Sequence, residues 1–583
     1  MENTALPKKK IHISALLLSA LATLLCLILI WGMLSRWGSV RIRREFALTA
    51  DGRQYSYLSY VPKDASDSKQ YPCVIVFHGG ADNAQNFDGW QLELVRRGYA
   101  VFSLDENGTT YTDTGIDNNS LAVEFTNMIQ KLPFINADKV VTCGHSMGGM
   151  YTIVTNTECN IAGGIVAHAN KNKEFGGNLA FVFGHADIYN RWSAEDAQRF
   201  YKDAFYTDGT APAEDTDIGS VAAHNYRRIH YQTGNGSHPS ARWNSDTIAY
   251  VCEYAEYFAS SGTTLTPQNQ QYQVLFAISL LGIVSFFALI VCFMLALLRH
   301  PFFASVKRPL PEYMGVTGKE WAFSAALTML PTIPFYLLCG YITAKFTSLS
   351  KGTVFLPVGT LNKFILFIVV QGLWDTLTFF LLFYKKKKLA MHEYGLCWSS
   401  NKHENMVNIG KSFLLAAATA AFGLTFLDLL DSKFGLGYTA WWMSIRSITF
   451  DRVIHASGYL VLFFFVYLGA QFGSNIVRRF KPTGHEIQDM LRDIAVNCIV
   501  GGGMICLLFF FQYWTQNHQI FITLINNTIT THQFYGYMLT VMCSQAVNTV
   551  LYRKTGSIWP GLLLLTIMFG YIIPGGFPIS ITL

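Results

Sequence analysis

Residues 139–149 read Lys-Val-Val-Thr-Cys-Gly-His-Ser-Met-Gly-Gly. A short apolar run, Val140 to Cys143, ends abruptly in Gly144-His145-Ser146-Met147-Gly148, the pattern Gly-x-Ser-x-Gly. The pattern predicts a strand that feeds a helix through a turn so tight that the serine backbone is strained. The glycines are required because a Cβ at those positions collides with the neighbouring strand and helix. Such a turn lifts Ser146 Oγ above the sheet edge. It also leaves the Met147 N–H at a helix start, where a developing oxyanion can be held.

The sequence around this turn divides in two. Over 583 residues the chain is 51% hydrophobic and only 14% charged, against ~25% charged in soluble domains. Residues 40–262 hold the polar, turn-rich material, and most of 272–583 is apolar runs broken by short basic loops. The net charge is +6, with no Lys/Arg stripe interleaved with aromatics, so nucleic-acid binding has no support. Eleven cysteines show no CxxC spacing, which gives no sign of a zinc site or redox motif. Cys73 and Cys143 fall on predicted core strands and read as small buried hydrophobes.

Within 40–262, strands alternate with helical patterns. Val74–Phe77, Ala100–Leu104, Val140–Cys143, Gly163–Ala167, Leu179–Phe183 and Asn225–Gln232 read as strands, with a helix around Trp90–Arg97. Continuous apolar strands separated by helices mean βαβ units and a mostly parallel sheet with helices on both faces. About 220 residues suit one such domain.

These features resemble an α/β hydrolase over residues 71–262, in the manner of dienelactone hydrolases and lipase-like serine esterases. The resemblance is carried by Phe77-His78-Gly79-Gly80 after an early strand and by the Ser146 turn. Gly184-His185-Ala186-Asp187 after a late strand and Gly234-Asn235-Gly236-Ser237-His238-Pro239 before a final helix complete it. The resemblance implies Ser146 as nucleophile, Asp187 as acid and His238 as base, in the family's chain order. The oxyanion hole would use the Met147 N–H and an N–H from Gly79-Gly80, with neither metal nor cofactor. Physics supports each role. Serine needs a base within hydrogen-bond reach, imidazole can take and return a proton near neutrality, and a carboxylate fixes its tautomer. His224 and His230 compete for the base. His230 falls within a predicted strand; His78, His145, His168 and His185 also lie near motif positions, and of these His78 and His145 read as structural members of their turns. The 190–223 stretch, with a helical pattern over Arg191–Tyr206 and then Asp215 and Asp217, reads either as a cap over the pocket or as a surface excursion.

Lys8–Lys10 precede the apolar run Ile11–Leu34, which is long enough to cross a bilayer and reads as an uncleaved anchor. Residues 1–39 thus form a cytoplasmic tip and anchor, and 272–583 a bundle of about eight further spans. These fall near 273–298, 322–345, 361–384, 411–430, 457–477, 494–514, 534–551 and 558–578. Alternate loops carry Arg299/Lys307/Arg308, Lys385–Lys388, Arg478/Arg479/Lys481 and Arg553/Lys554. That alternation puts 40–262 outside the cytoplasm, on a cell membrane. An interfacial helix is an option within 431–456. Asp375 and Asp428, inside spans, read as paired or near an interface. Tyr552–Pro560 resembles the last inter-helix loop of CAAX-protease-like (CPBP) membrane proteins. That family's paired glutamates are missing, and Leu565 stands where a histidine is wanted, so proteolysis is not implied.

The expectation is a membrane-tethered serine hydrolase acting on ester or lipid-like substrates among membrane lipids. An acyltransferase shares the acyl-enzyme, and a transporter or flippase with a ligand-binding outer domain is the reading from another class.

Overall fold

The computed structural model describes residues 8–169, 176–184, 217–232, 238–346, 351–384, 390–440, 443–514 and 533–581. The chain forms two compact units. One comprises residues 27–280 with two later segments, 429–445 and 576–583. The other holds 1–26, 281–428 and 446–575.

The first unit is built on an eight-stranded sheet: β1 (Val40–Leu48), β2 (Gln54–Pro62), β3 (Tyr71–Phe77), β4 (Ala100–Leu104), β5 (Ile135–His145), β6 (Gly163–Ala167), β7 (Leu179–Gly184) and β8 (Arg227–Gln232). Their spatial order is β1-β2-β4-β3-β5-β6-β7-β8. β1 and β2 pair antiparallel and β2 meets β4 antiparallel, while every pair from β4 to β8 is parallel. Burial explains the residue choice. Cys73 to Phe77 are all fully buried, as a central strand covered on both faces demands, whereas β1 at the edge buries only Val40 and Arg44. The flanking helices start on local caps. Asp117 accepts the Ser120 N–H (2.8 Å) below Asn118–Gln130, and Asn244 accepts from Asp246 and Thr247 below Ser245–Phe258.

Within 431–456, where an interfacial helix is an option, the described residues after Phe434 form no α-helix. The helix Lys402–Phe434 stops at Gly435 in a left-handed conformation (φ +61), and Tyr438–Ala440 pairs antiparallel with Met443–Ile445. A glycine just past the helix end supplies the positive φ that terminates it, and the hairpin then satisfies its own backbone. All described cysteines are free, and Cys73 and Cys143 are buried as expected.

The second unit is helical. Among the described residues, seven helices are long and apolar enough to cross a membrane: Ser14–Leu34, Tyr272–Leu297, Gly318–Ile342, Gly359–Tyr384, Lys402–Phe434, Ser457–Val477 and Glu486–Leu507. The two remaining expected spans are present as helices Gln533–Thr555 and Trp559–Gly575, the latter shorter. Helices Gly359–Thr378 and Ser457–Ala470 cross at glycines, since a Cβ on Gly469 would lie 2.1 Å from the Gly372 carbonyl oxygen. Asp375 is buried and accepts from Thr328 Oγ1 (2.9 Å), which itself accepts from Arg478 (2.8 Å). Asp428 is half-buried. The basic run Lys385–Lys388 lies outside the described residues.

Candidate active site

The strand β5 ends at His145, and the helix Met147–Glu158 begins two residues later. Between them Ser146 has φ +55 and ψ −117, a region L-residues rarely adopt. Packing enforces this conformation. A Cβ on Gly144 would lie 2.1 Å from the Gly148 oxygen, and one on Gly148 would lie 2.3 Å from the Phe77 oxygen. A Cβ on Gly149 would meet Ala169 at 2.5 Å. Ser146 N–H donates to the Ala167 carbonyl (2.9 Å), which fixes the turn on β6. As the first helical residue, Met147 has no intrahelical acceptor for its own N–H.

His238 Nε2 lies 2.8 Å from Ser146 Oγ. Ninety-two residues separate them, yet the imidazole is buried and its turn, His238–Arg242, is fastened from three sides. The neutral His145 ring donates from Nε2 to the His238 carbonyl (2.7 Å), because burial pushes its pKa well below the usual value. Trp90 Nε1 donates to the Ala241 carbonyl (3.0 Å), and Arg242 forms a buried ion pair with Asp82. Asp187, His185 and residues 190–216, Asp215 included, lie outside the described residues.

The Gly79-Gly80 loop runs against Ser146. A Cβ on Gly79 would stand 3.3 Å from Ser146 Cβ and 2.8 Å from His145 Nδ1, so only glycine allows this approach. His78 orients the loop. Burial keeps its ring neutral, its Nδ1–H donates to the Gly79 carbonyl (2.9 Å), and its Nε2 accepts from the Glu106 N–H (3.1 Å). Gly79 C=O and Gly80 N–H belong to one peptide and point in opposite directions. Holding the carbonyl therefore fixes the direction of the Gly80 N–H. Glu106 is itself buried, and burial raises its carboxyl pKa well above the usual range.

The competing histidines are elsewhere. His230 is on β8 and stacks on Tyr250 with ring centroids 3.5 Å apart, and His224 is exposed in a turn at φ +51. His168 is buried, 6.0 Å from the rings of both His145 and His238. Asp217 accepts from Tyr226 OH (2.7 Å) at the foot of β8.

Residues 68–169 match the family model described as serine aminopeptidase, S33. Together with the strand order and the serine turn, that match settles the superfamily. The sheet unit is an α/β hydrolase. The match includes Gly79, Gly80, Ser146 and Met147 of this hydrolase domain and stops before His238. Among solved structures, dipeptidyl peptidase 4 of Porphyromonas gingivalis is 16% identical. The likeness covers 37% of this chain and 35% of that one, with a TM-score of 0.28. Esterase 2 of Thermogutta terrifontis is 13% identical over 38% of this chain and 94% of its own (TM-score 0.28). Acetyl xylan esterase 1 of Thermoanaerobacterium sp. is 12% identical over 34% and 79% (TM-score 0.24). No curated protein matches the sequence.

The hydrolase domain also contains residues that its sequence motifs do not announce. Asp105, at the end of β4, accepts from the Ala84 N–H (3.0 Å), from Ser56 Oγ (2.9 Å) and from Arg44. Arg44 is fully buried and also pairs with Asp431 (2.7 Å), which accepts from Gln85 (2.8 Å). Burial alone would push the Arg44 pKa down, but the two carboxylates outweigh it and hold it above the usual value. Asn83 donates to Ser444 Oγ (2.8 Å) and to the Gly576 carbonyl (3.1 Å). The loop that follows Gly79-Gly80 is therefore anchored by segments from late in the chain. Only the Asp82–Arg242 pair had a hint in sequence, since each residue lies four positions or fewer from a motif residue.

Proposed function

We propose that the protein is a membrane-tethered serine hydrolase that cleaves ester substrates outside the cytoplasm through an acyl-enzyme. The observation that carries this reading is the 2.8 Å contact between His238 Nε2 and the Oγ of a serine on a strained turn. Ser146 Oγ attacks the ester carbonyl while His238 takes its proton, and the carbonyl oxygen becomes an oxyanion facing the Met147 N–H and the Gly79-Gly80 loop. Two such donors contribute on the order of 3 kcal/mol each. Collapse expels the alcohol, which receives the proton from His238 and leaves the acyl group on Ser146. Water, deprotonated by His238, then releases the acid and restores the serine. Asp187 is assigned the carboxylate that orients the imidazole. Seven apolar helices support the tether, and the basic loops support an outward-facing domain.

The family match favours a second reading, an aminopeptidase, in which the same acyl-enzyme forms from a peptide. A fluorophosphonate probe applied to intact and then permeabilised cells tests nucleophile and sidedness together. Labelling of intact cells that disappears in Ser146→Ala is the expected result. Labelling only after permeabilisation would reverse the orientation, and labelling that survives the substitution would move the nucleophile. Parallel assays with p-nitrophenyl esters and aminoacyl p-nitroanilides separate the two substrate classes.

A further inference from the structure

Gly80 is followed by Ala81 at φ +62, a conformation that costs an L-residue free energy and persists only where the surroundings over-determine it. His78 restrains the Gly79-Gly80 peptide from one side, through the Gly79 carbonyl. The restraint on the other side comes from 493 residues further along the chain. Asn83, fully buried, accepts the Gln85 N–H through Oδ1 (3.1 Å). Its Nδ2 donates to Ser444 Oγ (2.8 Å) and to the Gly576 carbonyl (3.1 Å).

Three positions past Gly576, the buried Ile579 donates its N–H to the Gly108 carbonyl (2.9 Å). Gly108 has φ +70, and a Cβ there would overlap the Ile579 carbonyl oxygen, so glycine is what lets the two backbones meet. Gly108 lies two residues past Glu106, whose N–H donates to His78 Nε2 (3.1 Å). Residues 576–579 therefore close a ring. Asn83 stands on one side of it, Gly108, Glu106 and His78 stand on the other, and the Gly79-Gly80 peptide lies between them. Asp105 ties the same two loops separately through the Ala84 N–H (3.0 Å).

We propose that Gly576–Ile579 is a positioning strap for the oxyanion side of the site. By holding Asn83 and Gly108 at a fixed separation, it keeps the Gly80 N–H turned towards the carbonyl oxygen of the substrate. Its effect on turnover rests on the hydrolase reading, whereas the restraint on the loop does not. The strap follows the apolar helix Trp559–Gly575 with no residue between them, so the site is not complete within residues 40–262. An oxyanion donor acts on the transition state far more than on the bound ester, so misdirecting it lowers kcat and leaves KM.

The test uses the full chain in dodecyl maltoside micelles. Gly108→Ala drives the strap off Gly108. Gly98→Ala is its matched control, because Gly98 has φ +91 with nothing within 4 Å of its Cβ position and so carries the backbone penalty alone. Asn83→Asp keeps the acceptor for the Gln85 N–H and sets an oxygen against the Gly576 carbonyl, which gives a second variant should the first unfold. Both strap variants should lower kcat for a p-nitrophenyl ester by about tenfold or more per fluorophosphonate-titrated site, with KM within about twofold of the parent. Affinity for phenylboronic acid, whose tetrahedral adduct on Ser146 mimics the oxyanion, should fall by a similar factor, and Gly98→Ala should match the parent throughout. Amide hydrogen exchange over 79–88, which needs no turnover, should be faster in the strap variants than in the control. Fewer titratable sites with kcat per site unchanged would reduce the strap to a structural contact and overturn the proposal. Unchanged exchange over 79–88, or an equal loss in Gly98→Ala, would also overturn it. If exchange responds as expected but the parent chain turns over no ester, the hydrolase reading fails and the strap stands.

Discussion

The turn at Ser146 and the cluster around Arg44 hold one sheet edge in place by different means. At the turn, everything needed lies within a few residues of sequence or on the adjacent strands. Gly144, Gly148 and Gly149 permit contacts of backbone on backbone, and the strain at Ser146 is imposed by those contacts. At the cluster, a buried guanidinium from β1 meets one carboxylate from β4 and another 387 residues away. Its strength is electrostatic, between buried side chains, and each member depends on partners that the local chain does not provide. The comparison teaches that Ser146 is positioned by short-range sterics, while the loop beside it is positioned by long-range charge.

The largest expected effect concerns the local region. Ser146→Ala should lower kcat for a p-nitrophenyl ester by on the order of 10³-fold or more with the melting temperature nearly unchanged. His238→Ala should match it, whereas His224→Ala and His230→Ala should stay within about twofold of the parent. An equal loss in either of the last two, with circular dichroism unchanged, would reassign the base.

The next effect belongs to the distant region and reverses the pattern. Arg44→Met leaves Asp105 and Asp431 buried without their cation and should cost about 3–5 kcal/mol of stability. Thermal denaturation of the full chain in detergent reads this directly. Asp431→Asn, which keeps the hydrogen-bond acceptor and one carboxylate on Arg44, should cost less. Equal costs would mean that Asp105 alone does not hold the guanidinium.

A smaller effect isolates the strain at the turn. Ser146→Gly should abolish turnover and yet stabilise the domain by roughly 1 kcal/mol, because glycine accepts φ +55 without penalty. A lower melting temperature than that of Ser146→Ala would show that the strain is not stored there.

The smallest effect is in pH dependence. Burial raises the Asp88 pKa from 3.8 to about 6, so the folded state favours the protonated form. Stability from this group is full below about pH 4, is lost as pH rises towards 6, and stays lost above. Asp88→Asn should therefore raise the melting temperature at pH 8 and not at pH 4. A gain of equal size at both pH values would assign the effect to packing instead of charge.

What was legible in advance follows the same division. The parallel core strands, the serine turn and the glycines at 79 and 80 could be read because their causes are local or periodic. The choice of His238 over His230 and His224 also rested on a local feature, a glycine-rich loop between strand and helix. The pairing of Tyr438–Ala440 with Met443–Ile445 is not legible in the sequence, because the aromatic and apolar residues of 431–456 fit an interfacial helix equally well and only Gly435 marks the break.

By itself the sequence determined the sheet, the turn and the candidate nucleophile. Steric exclusion and hydrophobic periodicity act between near neighbours and leave their mark on spacing. Tertiary structure alone decided that Arg44, Asp105 and Asp431 share one site, that Asp82 restrains the His238–Arg242 turn through Arg242, and that Asp88 meets Thr439. Charge pairing leaves no spacing rule in the chain. A buried ion takes whichever counter-ion the fold brings within reach, and that choice exists only once the distant segments have packed.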